Sequence, residues 1–350
     1  MRTSPFTYSA LVVVVALGLV HSTQSSHLSG RLAGSNSNSS TGNGGASPSG
    51  SAPLGSVLSP GLGPLPGSDP ACNNSSTLFC EDFSEGNFNR FDNYDHCPPI
   101  SHQIVNMPGP FNKSPTNTVA KIISPVNTAL NSGDMVKLLP APADHMYVRY
   151  YMMWDPAFPL STTTGHVGGG LFAGNREILG TSGHRPVPPY VPHAFTQTWL
   201  ELQPSTTNHP PGWMSLYSYY EDMYQDCANP SGACWGDHFP CWMDQGQSYC
   251  TKAAHRPKVQ QQVIHNGMWY CFEVYVNLGT AANYFSDGVM DFWINGAEQG
   301  PFTHLTQRSS SSLKLTLAYW AFYFHQVNTR VNRIVYYDNL IISHKRIGCG

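Results

Sequence analysis

An all-β fold of the sandwich or jelly-roll kind is what this sequence predicts, and three observations predict it. Helical periodicity is nearly absent, while Pro (28) and Gly (32) punctuate short apolar or alternating runs. Met290, Phe292 and Ile294 alternate with Asp291, Trp293 and Asn295, giving one apolar and one mixed face before a tight Asn295-Gly296 turn. The last third carries, in order, Trp-Tyr-Cys-Phe-Glu (269–273), Asp-Gly-Val-Met-Asp-Phe-Trp-Ile-Asn-Gly (287–296) and Val-Tyr-Tyr-Asp-Asn-Leu-Ile-Ile-Ser (335–343). These read as consecutive antiparallel strands, the last holding Asp338 inside an otherwise apolar run. A carboxylate there is costly unless something pairs with it, and a bound cation is the expected partner.

Taken in order, residues 1–22 have the layout of a secretory signal peptide: one Arg, an apolar run from Ala10 to Val20, then small polar residues. That run is shorter than the ~20 apolar residues that cross a bilayer, so export is expected, with no membrane span. Residues 23–70 are almost wholly Ser, Gly, Asn, Pro, Ala and Leu, a composition that cannot offset its ordering entropy, and are read as a flexible linker. Residues 71–350 hold all eight Trp and form one large β domain. Strands are expected at 118–123, 146–154, 196–203, 213–220, 269–277, 289–294, 313–324 and 333–343. Two stretches, 165–192 and 223–257, read as long irregular connections.

Net charge is −3 and only 11% of residues are charged, which leaves no basic stripe for nucleic acid and no polybasic membrane patch. A monomer is expected. The nine cysteines lack zinc-ligand spacing, so disulfides are the expectation for an exported chain. Cys227, Cys234, Cys241 and Cys250 fall close enough for two local bridges, and Cys97 is the candidate free thiol. Asn38, Asn73, Asn74 and Asn112 occupy glycosylation sequons.

Several of these residues together resemble the core domain of the cellulose-induced protein of cellulose-degrading fungi and its bacterial relatives. They are Glu81-Asp82-Phe83, Tyr147-Val148-Arg149, Gly165-His166-Val167, Cys271-Phe272-Glu273, Trp293-Ile294-Asn295-Gly296, Tyr337-Asp338-Asn339 and the closing Arg346-Ile347-Gly348-Cys349-Gly350. The resemblance implies a concanavalin A-like β-jelly roll akin to glucuronan and alginate lyases, with a cleft facing polysaccharide. It also implies a Cys271–Cys349 disulfide and a structural calcium ion. The family's ligand pattern transfers to Ser114, Asn117 and Asp338, with Glu85 as the first-strand ligand; Ser84 or a shifted alignment are the alternatives for that position.

A polysaccharide lyase must neutralise a uronic carboxylate, remove the neighbouring proton and protonate the leaving oxygen. Arg149 is the candidate cation, His166 the base and Tyr219 the acid, with Tyr217 and Tyr220 as alternatives. Trp199, Glu201 and Gln203 share one side of their strand, a mixture suited to stacking and hydrogen-bonding sugars; Tyr217 and Asp222 complete the expected substrate-binding set. No Gly-x-Ser-x-Gly elbow, metalloprotease motif or phosphate loop occurs, and Glu201 lacks the paired carboxylate of a retaining glycosidase. Two readings follow: a secreted lyase cleaving uronate-containing glycans by β-elimination, or a non-catalytic carbohydrate-binding or envelope adhesion module.

Overall fold

A computed structural model describes residues 69–94, 99–127, 132–163, 165–175, 183–191, 193–203, 210–223, 236–240, 262–281, 285–324 and 330–350. Apart from one 3-10 turn, Pro70–Asn73, the regular elements among them are strands. In chain order these are β1 (Thr77–Glu81), β2 (Asn93–Tyr94), β3 (Ser101–Asn106), β4 (Thr118–Ser124), β5 (Met135–Ala143), β6 (His145–Trp154), β7 (Gly165–Ala173) and β8 (Thr196–Gln203). There follow β9 (Trp213–Tyr219), β10 (Asp237–Phe239), β11 (Trp269–Asn277), β12 (Gly288–Ile294), β13 (Ala297–Glu298), β14 (Phe302–Leu305), β15 (Leu315–Phe324) and β16 (Arg333–Ser343).

They form two antiparallel sheets. One runs β13-β12-β11-β6-β16-β4-β3, with β1 added to β16 and β14 to β12; the other runs β10-β9-β8-β7-β15-β5-β2. The inward rows fill the space between them. Val148, Tyr150, Met152 and Trp154 of β6 and Phe272 and Val274 of β11 face Leu200, Leu202, Leu216, Trp320 and Phe322 of the other sheet, all fully buried. Tyr150 stacks on Phe272 at 5.5 Å and Trp154 meets the same ring edge-on at 5.7 Å. Burial of each such side chain is worth about 1.5–3 kcal/mol. This is the all-β two-sheet sandwich expected from the sequence. No helix among the described residues is long and apolar enough to cross a membrane.

Every expected strand is present, with ends shifted by at most two residues. The hairpin from β12 to β13 turns on Asn295 (φ 51°) and Gly296 (φ 81°), the positive-φ pair a tight hairpin needs. The expected irregular stretch at 165–192 is corrected: its first nine residues are β7, between β8 and β15 in the sheet. The Gly168-Gly169-Gly170 run reads as a loop, but the strand needs it for close approach. A Cβ at Gly169 would lie 2.4 Å from the Tyr150 ring, and one at Gly170 2.2 Å from the Thr198 carbonyl. The stretch 223–257 likewise contains a strand, β10, paired to β9.

The first described residues and the C-terminal strand meet on the larger sheet. Cys72 and Cys80 are disulfide-bonded, fixing the 3-10 turn to β1, and β1 pairs with β16. A second disulfide joins Cys271 of β11 to Cys349, across 78 residues of sequence. In the chain-entropy model a loop of that length stabilises the fold by about 4 kcal/mol. The double variant Cys271→Ser/Cys349→Ser is therefore expected to melt roughly 10 °C lower, as calorimetry under non-reducing conditions will show. Cys97, the four cysteines from 227 to 250, the signal segment and nearly all of the linker lie outside the described residues.

Candidate functional site

Strand parity sorts the expected site residues onto two different surfaces. On β8, Thr198, Leu200 and Leu202 point toward the opposite sheet; Thr198 Oγ1 lies 3.3 Å from Met290 Sδ of β12. Gln197, Trp199, Glu201 and Gln203 therefore project from the outer face of the seven-stranded sheet. Register carries the row across β9, where Trp199 pairs with Tyr217, Gln197 with Tyr219 and Glu201 with Ser215. It continues to β10, where Tyr217 pairs with His238.

His166 of β7 enters the same group. Its ring lies 4.7 Å from Trp199, 5.3 Å from Tyr217 and 5.3 Å from Tyr323 of β15. Its Nε2 is 3.7 Å from Glu201 Oε2. On its other side Tyr217 packs against His238 at 4.7 Å. The Tyr217 hydroxyl lies 3.1 Å from that of Tyr219 and accepts from Gly236 N, while the Tyr219 hydroxyl accepts from Gly183 N. Burial pushes both phenols up, Tyr219 to about 12, so both are proton donors at neutral pH. Burial also pushes Glu201 up to about 8, with partial relief from the Gln203 amide.

His238 is a member of this face that sequence reasoning missed. Gln203 Nε2 donates to Ser215 Oγ at 2.7 Å and faces His238 Nδ1 at 3.3 Å; Ser215 Oγ is 3.2 Å from the same nitrogen. An amide nitrogen can only donate, so Nδ1 accepts and the ring proton sits on Nε2. Burial holds His238 down to about 3, a neutral ring throughout the working pH range. Its local sequence, Asp-His-Phe-Pro, gives too short a strand signal to stand out.

Arg149 is not on this face, which corrects its expected place beside His166. It lies on β6 of the other sheet, fully buried, with Nη2 paired to the Asp69 carboxylate and Nη1 donating to the Asn339 carbonyl at 3.1 Å. Asp222 is also elsewhere. It follows β9 at an exposed position, its N–H donates to the Thr306 carbonyl, and its charge acts on Tyr220.

Two of the expected cation ligands, Asp338 and Asn117, lie near Arg149, on the sheet where β1 pairs with β16. Asp338 is 1% exposed, and burial pushes its carboxyl up to about 8. Asn117 Nδ2 is 3.3 Å from Asp338 Oδ2, and Asn339 N donates to Oδ1 at 2.8 Å. The Gly109 backbone comes so close that a Cβ there would sit 2.5 Å from both Asn117 Nδ2 and Asp338 Oδ2. Ser114 is in the same loop, but its hydroxyl bonds Thr116 and its carbonyl accepts from Asn117 N. Glu85 is exposed; the acid whose charge reaches Asp338 is Asp82, the residue just after β1. Among the described residues no three His, Cys, Asp or Glu side chains cluster as metal ligands. The set does fit a hard cation: buried Asp338, the Asn117 amide, Asp82, and Asn339 Oδ1, which is buried without a hydrogen-bond partner.

No protein-family model and no curated protein matches the chain in sequence. In structure it is similar to an alginate lyase of Aplysia kurodai, at 14% identity and TM-score 0.52, over 77% of this chain and 99% of that one. It is also similar to alginate lyase vAL-1 from Chlorella virus, at 14% identity and TM-score 0.50, over 76% and 99%. The likeness is one of fold. The cellulose-induced protein Cip1 is among the similar structures too, at 14% identity and TM-score 0.44, over 78% and 100%.

Proposed function

We propose that the outer face of the seven-stranded sheet binds polysaccharide and cleaves uronate-containing glycans by β-elimination. The observation that carries this reading is the convergence of His166 and Tyr217, 5.3 Å apart, between Trp199 and His238. Trp199 and Tyr217, 2% and 5% exposed, pack as an aromatic floor against the more accessible His166, and Gln203, Glu201 and His238 add polar atoms among them. His166 takes the proton next to the uronic carboxyl. Tyr217 protonates the leaving oxygen and draws on Tyr219 through their hydroxyl contact. The fold likeness to alginate lyases supports the substrate class. The test is incubation with a panel of uronic-acid polysaccharides, following the ultraviolet absorbance of unsaturated ends. Accumulating absorbance supports the lyase, whereas retention on a glycan with no absorbance makes the face a binding module.

Export belongs to the same reading. The two disulfides suit an oxidising compartment, as does the apolar leader. A calcium ion would be held by Asp338, Asn117, Asn339 and Asp82, all oxygen donors, and would supply a positive charge tying the start of the domain to β16. Calcium at a hundredfold excess over its dissociation constant would add about 2.7 kcal/mol of stability. The melting temperature of chelator-treated protein is expected to rise by several degrees on adding calcium. Asp338→Asn should abolish that rise.

A further inference from the structure

The face described above contains a carboxyl group in an unusual setting. β7, β8, β9, β10 and β15 contain no Lys or Arg at any position. Glu201 nonetheless stands near the middle of the outward row, with its side chain only 4% exposed. Its Oε2 is buried and accepts no hydrogen bond. Among the described residues, the ionisable or polar groups beside it are Gln203 of its own strand, whose amide hydrogen-bonds its carboxyl, His166 from β7, and Ser215, Tyr217 and Tyr219 from β9, with Tyr323 of β15 behind His166 and His238 of β10 beyond Gln203. The phenols are neutral and His238 is neutral. An ionised Glu201 would then be a buried charge relieved, among the described residues, only by the Gln203 amide and by one histidine 3.7 Å away.

We propose that Glu201 recognises the carboxylate of the ligand as a neutral acid, donating the hydrogen bond that a cation supplies in a charged site. The inference rests on the polyuronate reading above and names the group that reads the acid. A carboxylic acid O–H donating to a carboxylate makes a short, charge-assisted bond, and an apolar setting keeps such an acid protonated at neutral pH. Burial pushes Glu201 up to about 8, in keeping with that form. The acid form also places no demand for positive charge on His166, leaving its ring able to take a proton. Above the Glu201 midpoint the same site turns against its ligand, because two carboxylates would then face each other.

The test is isothermal titration of the full chain and of Glu201→Gln with a purified oligouronate at pH 6 and pH 9. Wild-type affinity is expected to fall about tenfold over that range, the change expected one pH unit past the midpoint. Glu201→Gln keeps a neutral donor of similar shape, so its affinity is expected to stay near the wild-type pH 6 value at both pH values. Wild-type affinity that stays flat from pH 6 to pH 9 overturns the proposal while leaving the polyuronate reading intact. So does a fall that persists in Glu201→Gln, which would trace it to His166. Tighter binding by Glu201→Gln at pH 6 also overturns it, since that would mean Glu201 is ionised. Absence of oligouronate binding at both pH values overturns this proposal and the polyuronate reading together.

Discussion

Arg149→Met is expected to lose about 3–5 kcal/mol of stability, because it strands the Asp69 carboxylate without its partner in a buried site. The guanidinium also donates to the Asn339 carbonyl and lies 5.0 Å from the Tyr151 ring, so the variant breaks several contacts at once. The loss should appear as a melting temperature lower by roughly 10 °C. Pairing it with Asp69→Asn should recover part of the loss, since the double variant buries no unpaired charge. Protein that remains folded should still be retained by polyuronate. A catalytic arginine would behave in the opposite way, with normal melting and lost activity; that pattern would return Arg149 to the active surface.

His166→Ala is expected to lower the rate of unsaturated-end formation by about 10²–10⁴-fold, the range for removing a general acid or base. His166 is the most accessible of the face's two histidines, with 15% of its side chain exposed, so the change should leave the melting temperature near wild type. Tyr217→Phe should also lower the rate, since it removes a hydroxyl that contacts Tyr219 and accepts from Gly236 N. If His166→Ala turned over at the wild-type rate, the base would have to be another group. Steady-state kinetics on one responsive polysaccharide decides this.

Much of the fold was legible because alternation and turn chemistry are local. The row Met290-Phe292-Ile294 and the Asn295-Gly296 turn sit where pattern places them. The glycine run in β7 was misread for a physical reason. Glycine marks loops in sequence, yet here its lack of a Cβ lets Tyr150 and the Thr198 carbonyl approach. Arg149 was misplaced for a different reason: periodicity gives the face of a strand but not the sheet that holds it. Trp199, Glu201, Gln203, Tyr217 and Tyr219 fall on one face because β8 and β9 are adjacent in sequence and in space. His238 escaped notice because its three-residue strand carries almost no pattern and acquires its neighbours only through pairing with β9.

The central claim is that the sugar chain lies on the outer face of the seven-stranded sheet. Soaking crystals of His166→Ala with a uronate tetrasaccharide and locating its electron density tests this most directly. The density is expected across Trp199, Tyr217 and His238, with a sugar carboxylate beside Glu201. Density on the nine-stranded sheet near Arg149, or none at saturating tetrasaccharide, would contradict it.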